Sequence, residues 1–387
     1  MWRIVLIGAA WTAAWWMIIG ALIAGVIPGR WRTLAAIVVV AILPLFVLVQ
    51  RFRGHHPSAF TRLFVFRPFW YLQLATPLVA IGGVAAFLAG LPLGMGLDAG
   101  RWAVASVGTV FAIGAIAGYI GSRQLRVKSL QVQFPDLPAG LVGLRIVQIS
   151  DLHVGPHTST KFLARVSRAV IAANADIIAI TGDQVDDYPG DVGPFAAAFT
   201  GLRAPLGVYA IAGNHDVYAG WEQVHAGLRA MGLRVLVNEA LELSRGGARF
   251  WLAGTGDPAG LGGPFGPDHS VAPDVARTLR GISSDSFTIV LAHNPALWPS
   301  LAERGVHLTL SGHTHYGQLS IPRIGWSLAS LFLEHAMDWH ARGQSLLYIN
   351  PGTNYWGLPL RLGALPEVTV ITLAQNSGGT PEITTES

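Results

Sequence analysis

Four long apolar stretches crowd the first third of this 387-residue chain, at 4–27, 34–49, about 69–91 and about 102–121. Each is close to the roughly 20 residues a helix needs to cross a hydrocarbon core about 30 Å thick. A secretory signal peptide has an apolar segment of only about 7–15 residues, so the first stretch is too long for one. Residues 1–122 contain eight arginines, no lysine and a single acid, Asp98. A buried core helix would explain any one stretch. Four in succession, almost without acids, predict an α-helical membrane region of about four spans. The second is the shortest and carries Pro44. No ionisable residue interrupts the middle of a span, which argues for an anchor rather than a transporter. Gly114 and Gly118 form a GxxxG pair of the kind that lets helices approach closely.

The loops set the orientation. With four spans, Arg3, Arg51, Arg53, Arg62, Arg67, Arg123, Arg126 and Lys128 fall on one side and Arg30, Arg32 and Arg101 on the other. The positive-inside rule then puts both ends, and whatever follows the spans, on the cytoplasmic face of a multi-pass membrane protein. Without the second span, the soluble part is expected on the opposite face.

From about residue 123 the composition changes. The remaining 265 residues carry 18 basic and 21 acidic side chains, so the formal charge is about +7 (8 − 1) before the boundary and −3 (18 − 21) after it. The basic character belongs to the membrane region, which argues against a nucleic-acid partner. Cysteine is absent, so thiolate metal sites and disulfides are unavailable.

Apolar runs at 144–150, 176–181, 207–212, 287–293 and 306–310 read as strands, and 160–175 and 221–232 as helices. Their alternation predicts an α/β domain over 144–375, with closing strands at 345–350 and 366–373. Residues 123–143 are expected to be a linker and edge strand, and 376–387 a disordered tail.

Polar side chains gather where these runs end. The sequence reads Asp151-Leu-His153 after the first, Gly182-Asp183-Gln-Val-Asp186 after the second and Gly213-Asn214-His215-Asp216 after the third. His293-Asn-Pro and Gly312-His313-Thr-His315 follow the fourth and fifth. In open α/β folds that end forms the ligand crevice. Carboxylate, imidazole and amide donors without thiolate suit Mn²⁺, Fe²⁺, Mg²⁺ or Zn²⁺, and two such ions would need about seven protein ligands. Each residue alone has a plainer explanation as a cap, a turn former or a buried histidine. Five such strand ends together favour a dinuclear site.

The ordered blocks DLH, GDQVD, GNHD, HNP and GHTH resemble the calcineurin-like metallophosphoesterases from Asp151 to His315, and the similarity extends to about Leu373. The resemblance implies a four-layer α/β/β/α sandwich. It implies that Asp151, His153 and His315 hold one metal, that Asn214, His293 and His313 hold a second, and that Asp183 bridges them. Asp186 and Asp216 would orient these groups, and His215 would be the catalytic acid, a task suited to an imidazole titrating near neutral pH. The implied reaction is hydrolysis of a phosphoester or pyrophosphate without a covalent intermediate.

The multi-span N-terminus joined to this domain is similar to the membrane-associated branch that includes UDP-2,3-diacylglucosamine pyrophosphatase-like proteins. The leading expectation is therefore a membrane-anchored hydrolase of a phosphate-containing, lipid-linked substrate, with membrane lipids as surroundings. A phosphodiesterase of soluble cyclic nucleotides and a non-catalytic membrane sensor are the alternatives. Tyr316 after GHTH and the segment 350–363 depart from the family pattern. Arg361 in that segment is a candidate phosphate contact. Residues 326–343 are expected to be either a helix packed on the domain or a surface facing the bilayer or acyl chains.

Overall fold

The computed structural model describes residues 2–24, 31–48, 58–262 and 266–385. Arg30, Arg51 and Arg53, used above for orientation, lie outside them. The chain divides into two compact units, 1–117 and 118–387.

The first unit is helical: α1 (Trp2–Ala24), α2 (Trp31–Leu48), α3 (Arg67–Gly90) and most of α4 (Gly96–Gly121), with a wider-wound π-helical turn at Thr61–Phe66 leading into α3. Three stretches among the described residues are long and apolar enough to cross a membrane: Leu6–Ile23, Thr61–Leu93 and Gly96–Gly121. This corrects the expectation of about four. Helix α2 does form where a span was expected, but it opens on Trp31-Arg32 and contains Pro44. Its apolar part, 34–48, rises only about 22 Å at 1.5 Å per residue, less than the ~30 Å core.

Among its described residues the second unit holds two large sheets and a short two-stranded one. Its elements are β1 (Arg126–Phe134), β2 (Arg145–Ile149), α5 (Thr160–Ala172), β3 (Ile177–Ile180), α6 (Val192–Phe199), β4 (Val208–Ala210), α7 (Asn214–Ala230), β5 (Arg234–Val235), β6 (Glu239–Arg245) and β7 (Ala248–Gly254). Then come α8 (Val275–Thr278), β8 (Thr288–Leu291), α9 (Trp298–Ala302), β9 (Leu308–Ser311), β10 (Ser320–Ile321), β11 (Trp326–Ser327), β12 (Asp338–Arg342), β13 (Ser345–Ile349), β14 (Glu367–Gln375) and β15 (Glu382–Thr385). One large sheet runs β15-β1-β14-β2-β3-β4-β5 and the other β12-β13-β9-β8-β7-β6. Strands β2 to β5 are parallel, as are β7, β8, β9 and β13.

The short strands IIAI, TIVL and LTLS are buried throughout, as parallel strands covered on both faces must be. Ile146, Ile177, Phe250, Ile289 and Leu308 meet between the sheets. Outside the first sheet, α5 turns Leu163, Val166 and Val170 onto Ile178 and Ile180, each such burial stabilising by about 1.5–3 kcal/mol. Ser159 starts that helix, its hydroxyl accepting from the Phe162 N–H at 3.2 Å. Leu301 of α9 covers Val290 on the outer face of the second sheet. The layers therefore run helices, sheet, sheet, short helices.

Two expectations about irregular segments fail. The tail is not wholly disordered: β15 pairs antiparallel with β1 and buries Ile383 against the inter-sheet core. The alternation in Glu-Ile-Thr-Thr turns one β-branched residue inward and closes an otherwise open edge. Residues 326–343 are not a helix. Gly325, at φ +65°, reverses the chain into β11, a single 3₁₀ turn at Leu328–Leu331 follows, and β12 ends the segment.

Candidate metal centre

Strands β2, β3, β4, β8 and β9 all deliver their next residues to one edge of the sandwich. The backbone there is unusual. Asp151, His153, Asp183, His313 and His315 have positive φ, between 40° and 70°. That region is costly for residues with a Cβ and persists only where the surroundings enforce it. Close approaches at neighbouring glycines accompany it here. A Cβ on Gly312 would lie 2.0 Å from Ser150 Oγ and 2.2 Å from Asp151 Oδ2, and one on Gly213 would lie 2.2 Å from Asp183 Oδ1. These spaces explain the glycines that precede His313 and Asn214.

Two clusters result. In the first, His315 Nε2 lies 3.2 Å from Asp151 Oδ1 and 3.0 Å from His153 Nε2. In the second, Asn214 Oδ1 lies 2.8 Å from His313 Nδ1 and 3.3 Å from His293 Nε2. Asp183 stands between them, its Oδ2 3.5 Å from His153 Nε2 and 3.3 Å from His293 Nε2. The structure thus brings together all seven residues expected to hold metal, with Asp183 where a bridging carboxylate would sit.

The donor set fits divalent cations. His293 Nδ1 donates to the Thr181 carbonyl at 2.7 Å, so the bare nitrogen of the neutral ring, Nε2, faces two oxygens that also carry lone pairs. A positive charge between them would reconcile that arrangement. Without a metal the charge is a proton: burial pushes the His293 imidazolium down, but Asp183 more than offsets this and holds it well above its usual range. Conversely, burial would raise Asp183, yet His293 and His153 keep it well below the usual carboxylate range. Burial lowers His313 and His315 to about 4, leaving both neutral at pH 7.

The orienting residues are also in place. Asp186 Oδ1 lies 3.4 Å from His153 Nδ1. Asp216 accepts from the Gly213 and Val185 N–H groups at 2.9 and 3.1 Å, fastening the start of α7 to the loop after β3. Burial, and then the charge of Asp183, raise it to about 8. His215 is half-buried beside the clusters, its ring 4.7 Å from that of His153. Its Nδ1 donates to the Asp186 carbonyl at 2.8 Å, which leaves Nε2 for another partner.

Arg361 departs from expectation. It is fully buried, so it cannot meet a substrate phosphate. Its guanidinium donates to the backbone carbonyls of Pro351, Asn354, Ala364 and His315, and Nη2 lies 2.7 Å from His315 Nδ1. A side chain long enough to reach phosphate is spent on fastening the late loop behind a candidate ligand. Burial lowers it to about 9.

Three residues at the site escaped the sequence reading. Asp257 follows β7 as the other acids follow their strands, so extending the same strand-end search to 248–254 would have found it. It is buried, and its Oδ2 has no hydrogen-bond partner. Burial raises it to about 6. Tyr218, one turn into α7, hydrogen bonds to Asn214. Trp356 places its ring 5.7 Å from that of His215. Nothing in the pattern around these two aromatics singles them out.

A family model described as calcineurin-like phosphoesterase matches residues 144–317. A Danio rerio relative, "Transmembrane protein with metallophosphoesterase domain", is 32% identical over 276 residues, covering 69% of this chain and 61% of that protein. A metallophosphoesterase of Aquifex aeolicus is 31% identical over 253 residues, covering 64% of this chain and 92% of that protein. One from Bacillus subtilis is 31% identical over 263 residues, covering 66% and 88%. The chain spans about three fifths of the length of the first curated relatives it matches.

Proposed function

The chain belongs to the calcineurin-like metallophosphoesterase family, and from that premise we propose that it is a membrane-anchored hydrolase that cleaves a phosphoester or pyrophosphate bond at a dinuclear metal site. The observation that carries this reading is the gathering of six buried or half-buried donors from four strand ends around Asp183 at a fifth. Asp151, His153 and His315 would hold one divalent cation, Asn214, His293 and His313 the other, with Asp183 shared. Once bound, such cations acidify water to supply hydroxide near neutral pH and offset charge on phosphoryl oxygens. The residues of the chain do the rest. Asp186 and Thr181 fix the rings of His153 and His293. His215, held through Nδ1, directs Nε2 to a leaving oxygen and gives it a proton. A sensor with a degraded site would lack one or more of these donors.

The finer reading is a lipid-linked substrate, such as the pyrophosphate of UDP-2,3-diacylglucosamine. The three helices apolar enough to span support it, because a membrane-borne substrate gives the anchor a purpose. With three spans the cytoplasmic placement changes its basis. Arg30, Arg32, Arg51, Arg53, Arg123, Arg126 and Lys128 then share the side of the second unit, against Arg3 and Arg101. The positive-inside rule then favours a cytoplasmic second unit, so the expectation that losing the second span moves the soluble part to the opposite face is revised: it is the N-terminus that changes face. Turnover of phosphodiesters by the purified chain, with and without chelator, tests the hydrolase. Release of UMP from the acylated nucleotide sugar tests the finer assignment.

A further inference from the structure

On the second unit, the residues just after the GHTH block expose an apolar surface. Ile321 is 49% exposed, Ile324 71%, Leu331 62% and Phe332 79%, all within a short hairpin and turn. Contiguous apolar exposure of this kind marks an interaction site. We propose that residues 321–333 dock on a phospholipid bilayer and bring a lipid-borne phosphoester to the metal centre. This deepens the anchored-hydrolase reading and rests on it.

The occupant follows from what the hairpin is attached to. The Ser320 N–H donates to the Leu362 carbonyl at 2.8 Å, and Leu362 donates back to Gln318 at 2.9 Å. The next residues of that strap meet the last turn of α4, which belongs to the second unit. Arg361 N–H donates to the Gly118 carbonyl at 2.9 Å, and a Cβ on Gly118 would lie 2.5 Å from Leu360 Cδ1. Gly118 therefore serves this contact rather than an obvious helix pair, while Gly114 faces open space. That last turn ends a helix apolar enough to span, so the strap that holds the hairpin also holds the end of a membrane-crossing segment. Arg323 sits among the apolar side chains and can extend its guanidinium to headgroups. Trp339 and Trp356, 41% and 49% exposed, suit the interfacial layer. The hairpin also leads to the chemistry: Gln318 exchanges two hydrogen bonds with the Trp356 backbone, each 3.0 Å, and Trp356 flanks His215.

The chain has no cysteine, so a single probe site can be introduced cleanly. Phe332→Cys, labelled with an NBD fluorophore, is reconstituted as the full chain in vesicles of phosphatidylcholine and phosphatidylglycerol. Arg249→Cys, exposed on the β6–β7 hairpin, serves as control. The expected result is quenching of the Phe332→Cys probe by spin-labelled lipid and not by aqueous iodide, with the reverse at the control. Iodide quenching at both positions would overturn the proposal, as would shielding of the Phe332→Cys probe from both quenchers, which would indicate a protein partner. In a second arm, replacing Leu331, Phe332 and Leu333 together by Ser should lower the ratio of vesicle-borne to soluble phosphodiester turnover by at least about tenfold, given the apolar area removed from contact with lipid. Equal loss on both substrates would also overturn it. Absence of turnover in the unaltered chain would instead count against the hydrolase reading and leave the quenching result standing.

Discussion

At the scale of single residues, the strain at this site and its chemistry coincide. Five candidate ligands adopt left-handed backbone angles, and the glycines before His313 and Asn214 leave no room for a Cβ beside Asp151 and Asp183. The acid role proposed for His215 is separable from theirs. His215→Asn should lower kcat about 10²–10⁴-fold on alkyl phosphoesters, whose leaving oxygen needs a proton, and much less on p-nitrophenyl esters. Equal losses on both would contradict the acid role. Arg361 acts from behind His315. Arg361→Met should lower the melting temperature of the second unit, by an amount corresponding to roughly 1–3 kcal/mol, because the buried carbonyls of Pro351, Asn354 and Ala364 lose their donor, whereas a direct phosphate contact would raise KM and leave stability unchanged. Asp257 gives a pH signature. Its folded-state acid is raised to about 6 by burial, above the ~3.9 of an unfolded chain, so its contribution to stability is complete below about pH 4 and lost as pH rises through 6. In chelator, Asp257→Asn should melt with the unaltered chain at pH 4 and several degrees above it at pH 8, a difference of about 2–3 kcal/mol at most. A constant difference across that range would refute the assignment.

Elements set how much of this the sequence reveals. Each short apolar run with a polar residue after it marks a parallel strand and its loop, because burial on both faces leaves only the end free for chemistry. Residues Asp151 to His315 were legible for that reason. Arg361 was not, since a long cationic side chain in a loop looks the same in sequence whether it meets solvent or reaches back to four carbonyls. Segment 326–343 misled because its apolar side chains suggest a packed helical stripe, while Gly325 and the Ser327 cap impose a turn that leaves several exposed. The closing strand was hidden by a polar tail in which only Ile383 reaches the core. Ile383→Ala should therefore lower the melting temperature of the second unit, by an amount corresponding to roughly 2–4 kcal/mol. No change would mean that β15 contributes little to closing the sheet.

Across the whole molecule, a helical region apolar enough to span a membrane precedes a unit whose buried donors come from two sheets. The charge asymmetry, +7 against −3 by the count above, follows the same boundary in sequence. In the proposed hydrolase, Asp183 joins two cation sites that together support phosphoester hydrolysis. The most direct test is turnover of bis-p-nitrophenyl phosphate by the purified full chain after chelation and again after Mn²⁺ is restored, beside Asp183→Asn. Activity should disappear with the metal, return with it, and fall by about two orders of magnitude or more in the variant, because the carboxylate shared by both sites is lost. Turnover that survives chelation, or an Asp183→Asn protein as active as the unaltered chain, would contradict that proposal.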